Sequence, residues 1–421
     1  MSRILIVGAG GREHALAWKL SQEAEVICTP SNPGIAQVAE CWQIDPSHHA
    51  ELAQACLRSS IDLVVIGPED PLIAGLADAL RTHRIAVFGP GADAAQLEGS
   101  KAFSKELMAE AGVPTAAFGV FEDPTAASEF ARSRFDLGFG VAVKASGAAL
   151  GKGVVVCGNV DEADDAIAMM LVDGELGEAG STIVVEDRLN GFEFSLLTLV
   201  SGQDILSLPV AQDHKRALNG DRGPNTGGMG TFSPVPHVSD ALVQQAEETV
   251  VRPILRALAD RQIEYRGMLF SGLMVQDGVP YCLEYNVRFG DPETQSIVRR
   301  LGSGFADALR ACARGEQIPP VEVVPDAAVT IVMASKGYPG RFERGIPIRI
   351  GELPPDVVAF HAGTKTQGGD LVTNGGRVLG ISAVGANLEE AARRAYLGVD
   401  AIECDGLRWR TDIGTAPKQT P

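Results

Sequence analysis

Long apolar runs are missing from this chain of 421 residues, and none approaches the ~20 residues that a membrane-spanning helix needs. Cysteine is sparse and scattered: seven residues, an odd number, with no Cys-x-x-Cys pair. That leaves no disulfide or zinc framework and fits a reducing cytosol. Positive charge is also short, with 36 Lys and Arg against 54 Asp and Glu and a net charge of -18. Broad binding to nucleic acid or to an anionic membrane is thereby disfavoured. The opening run Ile4–Val7 is short, ends in glycines and lacks the layout of a signal peptide. No internal repeat or low-complexity tract is evident, and 414–421 reads as a frayed tail. The expectation is a cytoplasmic protein in which any anionic ligand is held by local devices, namely backbone N–H groups and a few placed Lys and Arg.

What is present is the composition of a globular protein, 45% hydrophobic and 21% charged, in a chain long enough for three or four modules. Its most informative stretch is 282–295. Apolar runs at 269–276 and 281–285 are joined across Asp277-Gly278, a common hairpin turn pair. Glu284 and Asn286 are two apart and leave the same face of a strand. A carboxylate and an amide oxygen together suit a hard cation such as Mg²⁺, which keeps phosphate and water as its other ligands. Arg288 continues the alternation and can fork onto a phosphate or carboxylate.

The chain opens as a buried strand, a glycine turn and a helix start, an arrangement that offers free N–H groups to an anion. A dinucleotide fold is the obvious alternative. Gly8 and Gly10 fit its fingerprint, but Glu13 stands at the third glycine position and no ribose-binding acid ends the next strand, 25–29. Strand-to-loop units at 61–69 and 85–90 extend the pattern into a small doubly wound sheet over about the first hundred residues. Gly10, Gly11, Asn32 and Glu69 then face its crevice.

Ser100 is a candidate N-cap for a helix through Ala111. Residues 147–152 resemble a phosphate-binding P-loop, but the spacing is one short and Gly153 replaces the metal-binding hydroxyl. The loop also lies between two strands, so it reads as a hairpin flap. Lys144, mid-strand among apolar neighbours, calls for an anionic partner. Residues 183–196 give a strand, an interruption and another strand. Backbone groups around Glu186–Leu189 suit adenine, and Glu193 suits ribose hydroxyls. Residues 222–230 are too rich in glycine for a helix or strand and read as a loop with many free N–H groups. A long helix over roughly 240–261 follows. The last hundred residues read as a small α/β module with strands near 329–333 and 378–383 and a helix capped by Asn387 with Glu390.

These strand-borne sets resemble the ATP-grasp superfamily, with Lys144 and Gly151-Lys152-Gly153 as flap, Glu186–Leu189 as hinge and Glu284-Tyr285-Asn286 as metal strand. More closely, the chain is similar to the phosphoribosylamine–glycine ligase (glycinamide ribonucleotide synthetase) family almost from end to end. The stretches that carry the likeness are 10–15, 67–69, 96–101, 212–216, 223–230, 288–295, 361–365 and 373–379. Three departures stand out: Ser146 and Ala148 in the flap, Asp187 in the hinge, and Met274 where a second metal carboxylate is common in the wider superfamily.

The resemblance implies an α/β multidomain protein. Its parts would be an N-terminal doubly wound parallel-sheet domain (1–101), a two-part ATP-grasp fold and a small C-terminal α/β domain (325–421). The ATP-grasp core would take 102–122 and 194–324, and the mobile flap 123–193. It also implies ligation of glycine to 5-phosphoribosylamine with ATP cleaved to ADP and phosphate through glycyl phosphate, a step of purine biosynthesis. Lys101, Lys144, Gly151, Lys152, Gly153, Glu186, Leu189 and Glu193 would bind ATP. Glu284 and Asn286 would hold Mg²⁺ or Mn²⁺. Lys215, Arg288 and Asp291 would act at the reacting groups. Gly10, Gly11, Asn32 and Glu69 would hold the phosphoribosyl part, and Asn225, Thr226, Gly227 and Gly228 would border glycine. The partners implied are these small molecules, transient contacts with neighbouring purine-pathway enzymes, and a monomer or weak dimer. The rival readings are another ATP-grasp ligase or carboxylase, an NAD-dependent oxidoreductase and a non-catalytic nucleotide-binding module.

Overall fold

Ile4, Leu5, Ile6 and Val7 have no exposed surface on either face, which makes the opening run Arg3–Val7 the centre of a sheet rather than its edge. It pairs in parallel with Glu25–Thr29 on one side and Leu63–Ile66 on the other. Glu40–Cys41 and Val87–Phe88 complete five strands, with helices such as Gly11–Leu20 and His49–Arg58 in the connections. This is the doubly wound arrangement expected from the sequence. The structure is a computed structural model and describes residues 2–147 and 153–414.

Two antiparallel sheets follow. The first has the order Phe118–Phe121, Ile183–Asp187, Val141–Ala145, Val154–Cys157, and covers its own apolar core of Ala127, Val143, Ile167 and Val185. The second has the order Asp204–Ser207, Phe192–Ser201, Arg266–Gln276, Val279–Asn286. Its core is continuous with that of the first domain, so that Leu5, Val64 and Leu97 share one cluster with Leu196, Leu269 and Tyr285. Asp277 and Gly278 both have positive φ (52° and 79°), the turn chemistry expected of that pair. A register shift at Gly272/Leu273 sets Glu284 opposite Gly272 and Asn286 opposite Phe270.

The C-terminal sheet departs from the expected division of the chain. Its order is Gln212–Asp213, Gly230–Ser233, Ala327–Ser335, Arg377–Gly385, Val357–His361, so two of its strands come from the stretch assigned to the central core. Residues 222–230 also differ from expectation. Arg222–Asn225 is a short strand paired with Arg216–Leu218, because the ladder there needs backbone groups rather than side chains. The helix expected over 240–261 runs as Asp240–Ala246, a π-turn Glu247–Val251 and Arg252–Asp260. Pro253 has no N–H to give to the regular ladder, which accounts for the shift in spacing. Asn387 caps Leu388–Asp400 by accepting from the Glu390 N–H at 3.0 Å, and Glu390 accepts from the Ala386 N–H at 2.9 Å.

Candidate active site

The helix Lys101–Glu110 begins where the central sheets meet. Ser100 caps it, accepting from the Phe103 N–H at 3.2 Å. Ser146, one of the departures in the flap, accepts from the Ala102 N–H at 3.0 Å and lies 3.3 Å from the Ser100 hydroxyl. It thereby docks the end of Val141–Ala145 onto the helix start. Lys101 and Lys105, one turn apart, then face Lys144 on that strand across a cavity of about 180 Å³ that Glu284 and Asn286 also line. Gly151, Lys152 and Ala148 lie outside the described residues.

Lys144 has the anionic partner its burial requires. Its Nζ is 2.5 Å from Glu186 Oε1, and Lys105 Nζ is 2.5 Å from Glu186 Oε2. The carboxylate is held between two ammonium groups, all three nearly covered. Burial alone would raise its pKa, but Lys144 and Lys105 hold it below the usual value. Lys105, pressed by burial, is lowered; Lys144 is held up by Glu186 and Glu284 against the same burial. With two positive charges and one negative, the cluster keeps a surplus cation for a polyphosphate. The Glu186 side chain thus points at lysines, and Leu189, three residues on, is half-buried. Asp187 is likewise engaged, in a fork from Arg134 at 2.6 and 2.5 Å.

Glu284 differs from Glu186, Glu193, Glu98 and Glu69, each of which is paired with a lysine or arginine. Its oxygens have no hydrogen-bond or ion-pair partner among the described residues. Burial opposes its charge, yet Lys215, Lys144, Lys101 and Arg288 hold its pKa below the ordinary value. An ionised, unpartnered carboxylate with Asn286 on the same strand face fits a hard divalent cation that takes few protein oxygens. Groups of three or more His, Cys, Asp or Glu with metal-site geometry are absent among the described residues.

Around this centre the remaining residues named from the sequence fall into two sets. Lys215 pairs with Glu193 at 2.6 Å. Arg288 reaches Glu98 at 2.8 Å and Glu69 at 3.3 Å, and its charge keeps Glu69 ionised against burial. Asp291 binds Arg377 and Gln295. Of these, Glu69 and Glu98 line the cavity, and Lys215 holds the glycine-rich loop by accepting from Thr226 at its carbonyl. The second set lies at the seam with the C-terminal sheet. The Asn32 amide donates to Ala9 O at 2.8 Å and His361 O at 2.9 Å, and its oxygen accepts from the Gly34 and Ile35 N–H groups at 2.9 Å. Its hydrogen-bonding capacity is filled by backbone. Gly11 is pressed against Gln295 and Ala362, where a Cβ would come within 2.8 and 3.3 Å.

At the first glycine turn the chain supplies its own anion. Glu13 Oε2 accepts from the Gly10 N–H at 2.6 Å, and Oε1 from Arg12 Nε at 2.6 Å. A Cβ on Gly8 would come within 2.7 Å of Glu13, and one on Gly67 would also collide with it. The hollow into which a dinucleotide pyrophosphate would settle is filled by this side chain, so the turn is not a dinucleotide site.

Several participants were not singled out from the sequence. Lys105 sits four residues after Lys101, the spacing that puts both on one helix face. Glu98 accepts from the Val287 N–H at 2.7 Å and fixes the end of the strand Val279–Asn286. It lies inside a stretch that carried the family likeness, as does Arg377, but neither has a local pattern that reveals its partner.

Family models for phosphoribosylglycinamide synthetase match the chain in three successive pieces. The N domain covers residues 2–98, the ATP-grasp (A) domain 99–294 and the C domain 328–416. A phosphoribosylamine–glycine ligase of Rhizobium meliloti (strain 1021) is 43% identical over 419 residues, 98% of each chain. The crystal structure of a phosphoribosylamine–glycine ligase from Thermotoga maritima superposes with a TM-score of 0.85 at 35% identity, covering 97% of this chain and 99% of the other. The biotin carboxylase domain of Hydrogenobacter thermophilus 2-oxoglutarate carboxylase, solved with MgADP and bicarbonate, gives a TM-score of 0.70 at 16% identity. It covers 97% of this chain and 91% of that one, a likeness of fold alone.

Proposed function

The chain belongs to the phosphoribosylglycinamide synthetase family, and from that premise we propose that it joins glycine to 5-phosphoribosylamine at the expense of ATP. A carboxylate is a poor electrophile. One oxygen of the glycine carboxylate therefore attacks the γ-phosphorus and ADP leaves, giving glycyl phosphate. The amine of phosphoribosylamine then attacks the acyl carbon, the C–N bond forms, the C–O bond to phosphate breaks, and the nitrogen gives up a proton. Neither step needs a covalent protein nucleophile, so positioning and charge neutralisation carry the catalysis.

The observation that carries this reading is Glu284, ionised and without a hydrogen-bond or ion-pair partner among the described residues, beside Lys101, Lys144, Lys215 and Arg288. Lys101, Lys144 and Gly153, together with Gly151 and Lys152, take the ATP phosphates. Glu186 serves by aiming Lys144, while Leu189 and Glu193 border the adenosine. Glu284 and Asn286 hold Mg²⁺ or Mn²⁺, which when bound draws charge from the phosphate oxygens. Lys215 and Arg288 offset the charge of the transferring phosphoryl group and the glycine carboxylate. Glu69 and the glycine turn at Gly10 and Gly11 border the phosphoribosyl part, with Asn32 shaping that loop. Asp291 and the loop 225–228 border glycine.

The partners are these small molecules, with a monomer or weak dimer and transient contacts to neighbouring enzymes of the same pathway. The described helices include none long and apolar enough to cross a membrane, and all seven cysteines are free thiols. Both support a place in the cytoplasm. The test is ADP release with ATP, Mg²⁺, glycine and phosphoribosylamine made in situ from ribose 5-phosphate and ammonia, each omitted in turn. Turnover that needs every component, with a product of glycinamide ribonucleotide mass, is the expected result. Release indifferent to glycine but responsive to another acid would overturn the substrate and keep the mechanism.

A further inference from the structure

Two stretches of the C-terminal layer carry the family likeness without a chemical role, 361–365 and 373–379. Their glycines let three backbones meet. A Cβ on Gly363 would lie 2.5 Å from Gly375 Cα and 2.6 Å from Arg377 O, and one on Gly376 would run into the Tyr338 ring. This packing fixes the start of the strand Arg377–Gly385, beside a register shift at Met333/Ala334. From there Arg377 crosses into the central domain. Its Nη2 donates to Asp291 Oδ2 at 2.8 Å, and its Nη1 to Asp291 O at 2.7 Å and to Gly227 O. The Gly227 N–H donates to the Tyr338 hydroxyl at 3.0 Å, so the two peptide groups that flank this one residue are both gripped by the C-terminal layer. The next link leads to the reacting centre, because the N–H and hydroxyl of Thr226 both donate to Lys215 O at 2.8 Å.

We propose that Arg377 is a positioning residue for the ligation: its fork ties Asp291 to the Gly227 peptide and so sets the loop 225–228 and Lys215 against the acid to be phosphorylated. This rests on the ligase reading given above. A guanidinium can serve one carboxylate oxygen and two carbonyls at once from a rigid plane, whereas an ammonium on a flexible stem cannot hold the same fork. A Cβ on Gly227 would come within 3.1 Å of the guanidinium carbon, which leaves the loop little room to drift from its contact.

The test is steady-state ADP release by wild type, Arg377→Ala and Arg377→Lys, with glycine varied at saturating ATP and the reverse. Amide hydrogen exchange is followed over residues 225–230. For Arg377→Ala, kcat/KM for glycine should fall about a hundredfold, the scale of a misplaced reactant, while KM for ATP stays near that of wild type. Millimolar guanidinium should restore part of the loss in the Ala variant and none in the Lys variant. Exchange over 225–230 should quicken in both. Should the Ala variant fail to fold, Arg377→Lys keeps charge and bulk, and the same split at roughly tenfold is then required. Wild-type glycine kinetics in the variants, an equal loss towards ATP and glycine, or unchanged exchange would each overturn the proposal. Wild type without glycine-dependent turnover would sink the ligase reading instead, and the exchange comparison would still decide whether Arg377 holds the loop.

Discussion

Glu13 and Glu284 are both carboxylates at the sites where an anion or a cation was expected from the sequence, and they stand in opposite conditions. Glu13 is folded back into its own glycine turn with Gly10 and Arg12 as partners. Glu284 faces a cavity ringed by cations and is bonded to none of them among the described residues. A buried polar group that has its partners holds structure together, whereas a charge kept ionised without one is held for something that arrives later. Glycine turns and strand-borne acids look alike in sequence. The difference lies in which of them the chain has already satisfied.

The sharpest way to break this comparison is Glu284→Ala. ADP release should fall by about a thousandfold, the scale of removing a principal electrostatic contributor, with little change in melting temperature. Wild-type turnover at saturating Mg²⁺ would remove Glu284 from the metal site. Glu13→Ala should do the reverse. It takes the Glu13 ion pair from the buried Arg12 guanidinium, leaving it the Phe289 carbonyl, and frees the Gly10 N–H, so urea unfolding should show a loss of roughly 3 kcal/mol while ATP affinity holds. A larger effect on ATP binding than on stability would undo the contrast.

The seam beside Glu13 gives a third test, through pH. His14 accepts the His361 N–H at Nδ1, 2.7 Å away, so it is neutral with its proton on Nε2. Burial lowers His14 to about 3, with His361 adding to the effect, and burial lowers His361 to about 4. Both folded pKa values lie below the unfolded value of about 6.5, so the unfolded chain takes up protons that the native one refuses. Stability from this pair is therefore full above about pH 6.5 and drains as the pH falls towards the folded values. At pH 5 the loss relative to pH 8 should be about 2 kcal/mol per ring. His14→Gln should remove roughly half of the histidine share of that loss, read from urea midpoints. The smallest effect is expected at Lys105→Met. With Glu186 left to one lysine, Lys144 is held more tightly and KM for ATP should rise about tenfold. An unchanged KM would show that Lys105 does not release Lys144 to the nucleotide.

Much of the fold was legible because its signals are local. The parallel strand at 3–7, the Asp277-Gly278 turn, the Ser100 cap and the Asn387–Glu390 box each follow from neighbouring residues. The strand-borne residues of the candidate site were legible for the same reason, since two-residue spacing places Glu284 and Asn286 together. What escaped was set by distance along the chain. Glu98 meets Arg288, Arg377 meets Asp291, and Asn32 meets His361, contacts that no window of sequence contains. The hinge was read from its backbone groups, and nothing local announced that the Glu186 side chain turns inward, where Lys105 and Lys144 claim both of its oxygens. The strand at 222–225 escaped because glycine and proline weaken a side-chain pattern while the backbone can still pair.

The C-terminal sheet, which borrows Gln212–Asp213 and Gly230–Ser233 from the middle of the chain, has a consequence for how the protein can be cut or moved. Gly230–Ser233 pairs along its length with Ala328–Ile331. Severing the chain near residue 325 would not free a module. It would leave one fragment with a bare strand edge beside its own glycine-rich loop, and the other with a sheet missing a flank. Motion that opens the site by lifting this layer would have to unzip the same ladder. The layer is better regarded as a wall of the site than as its door.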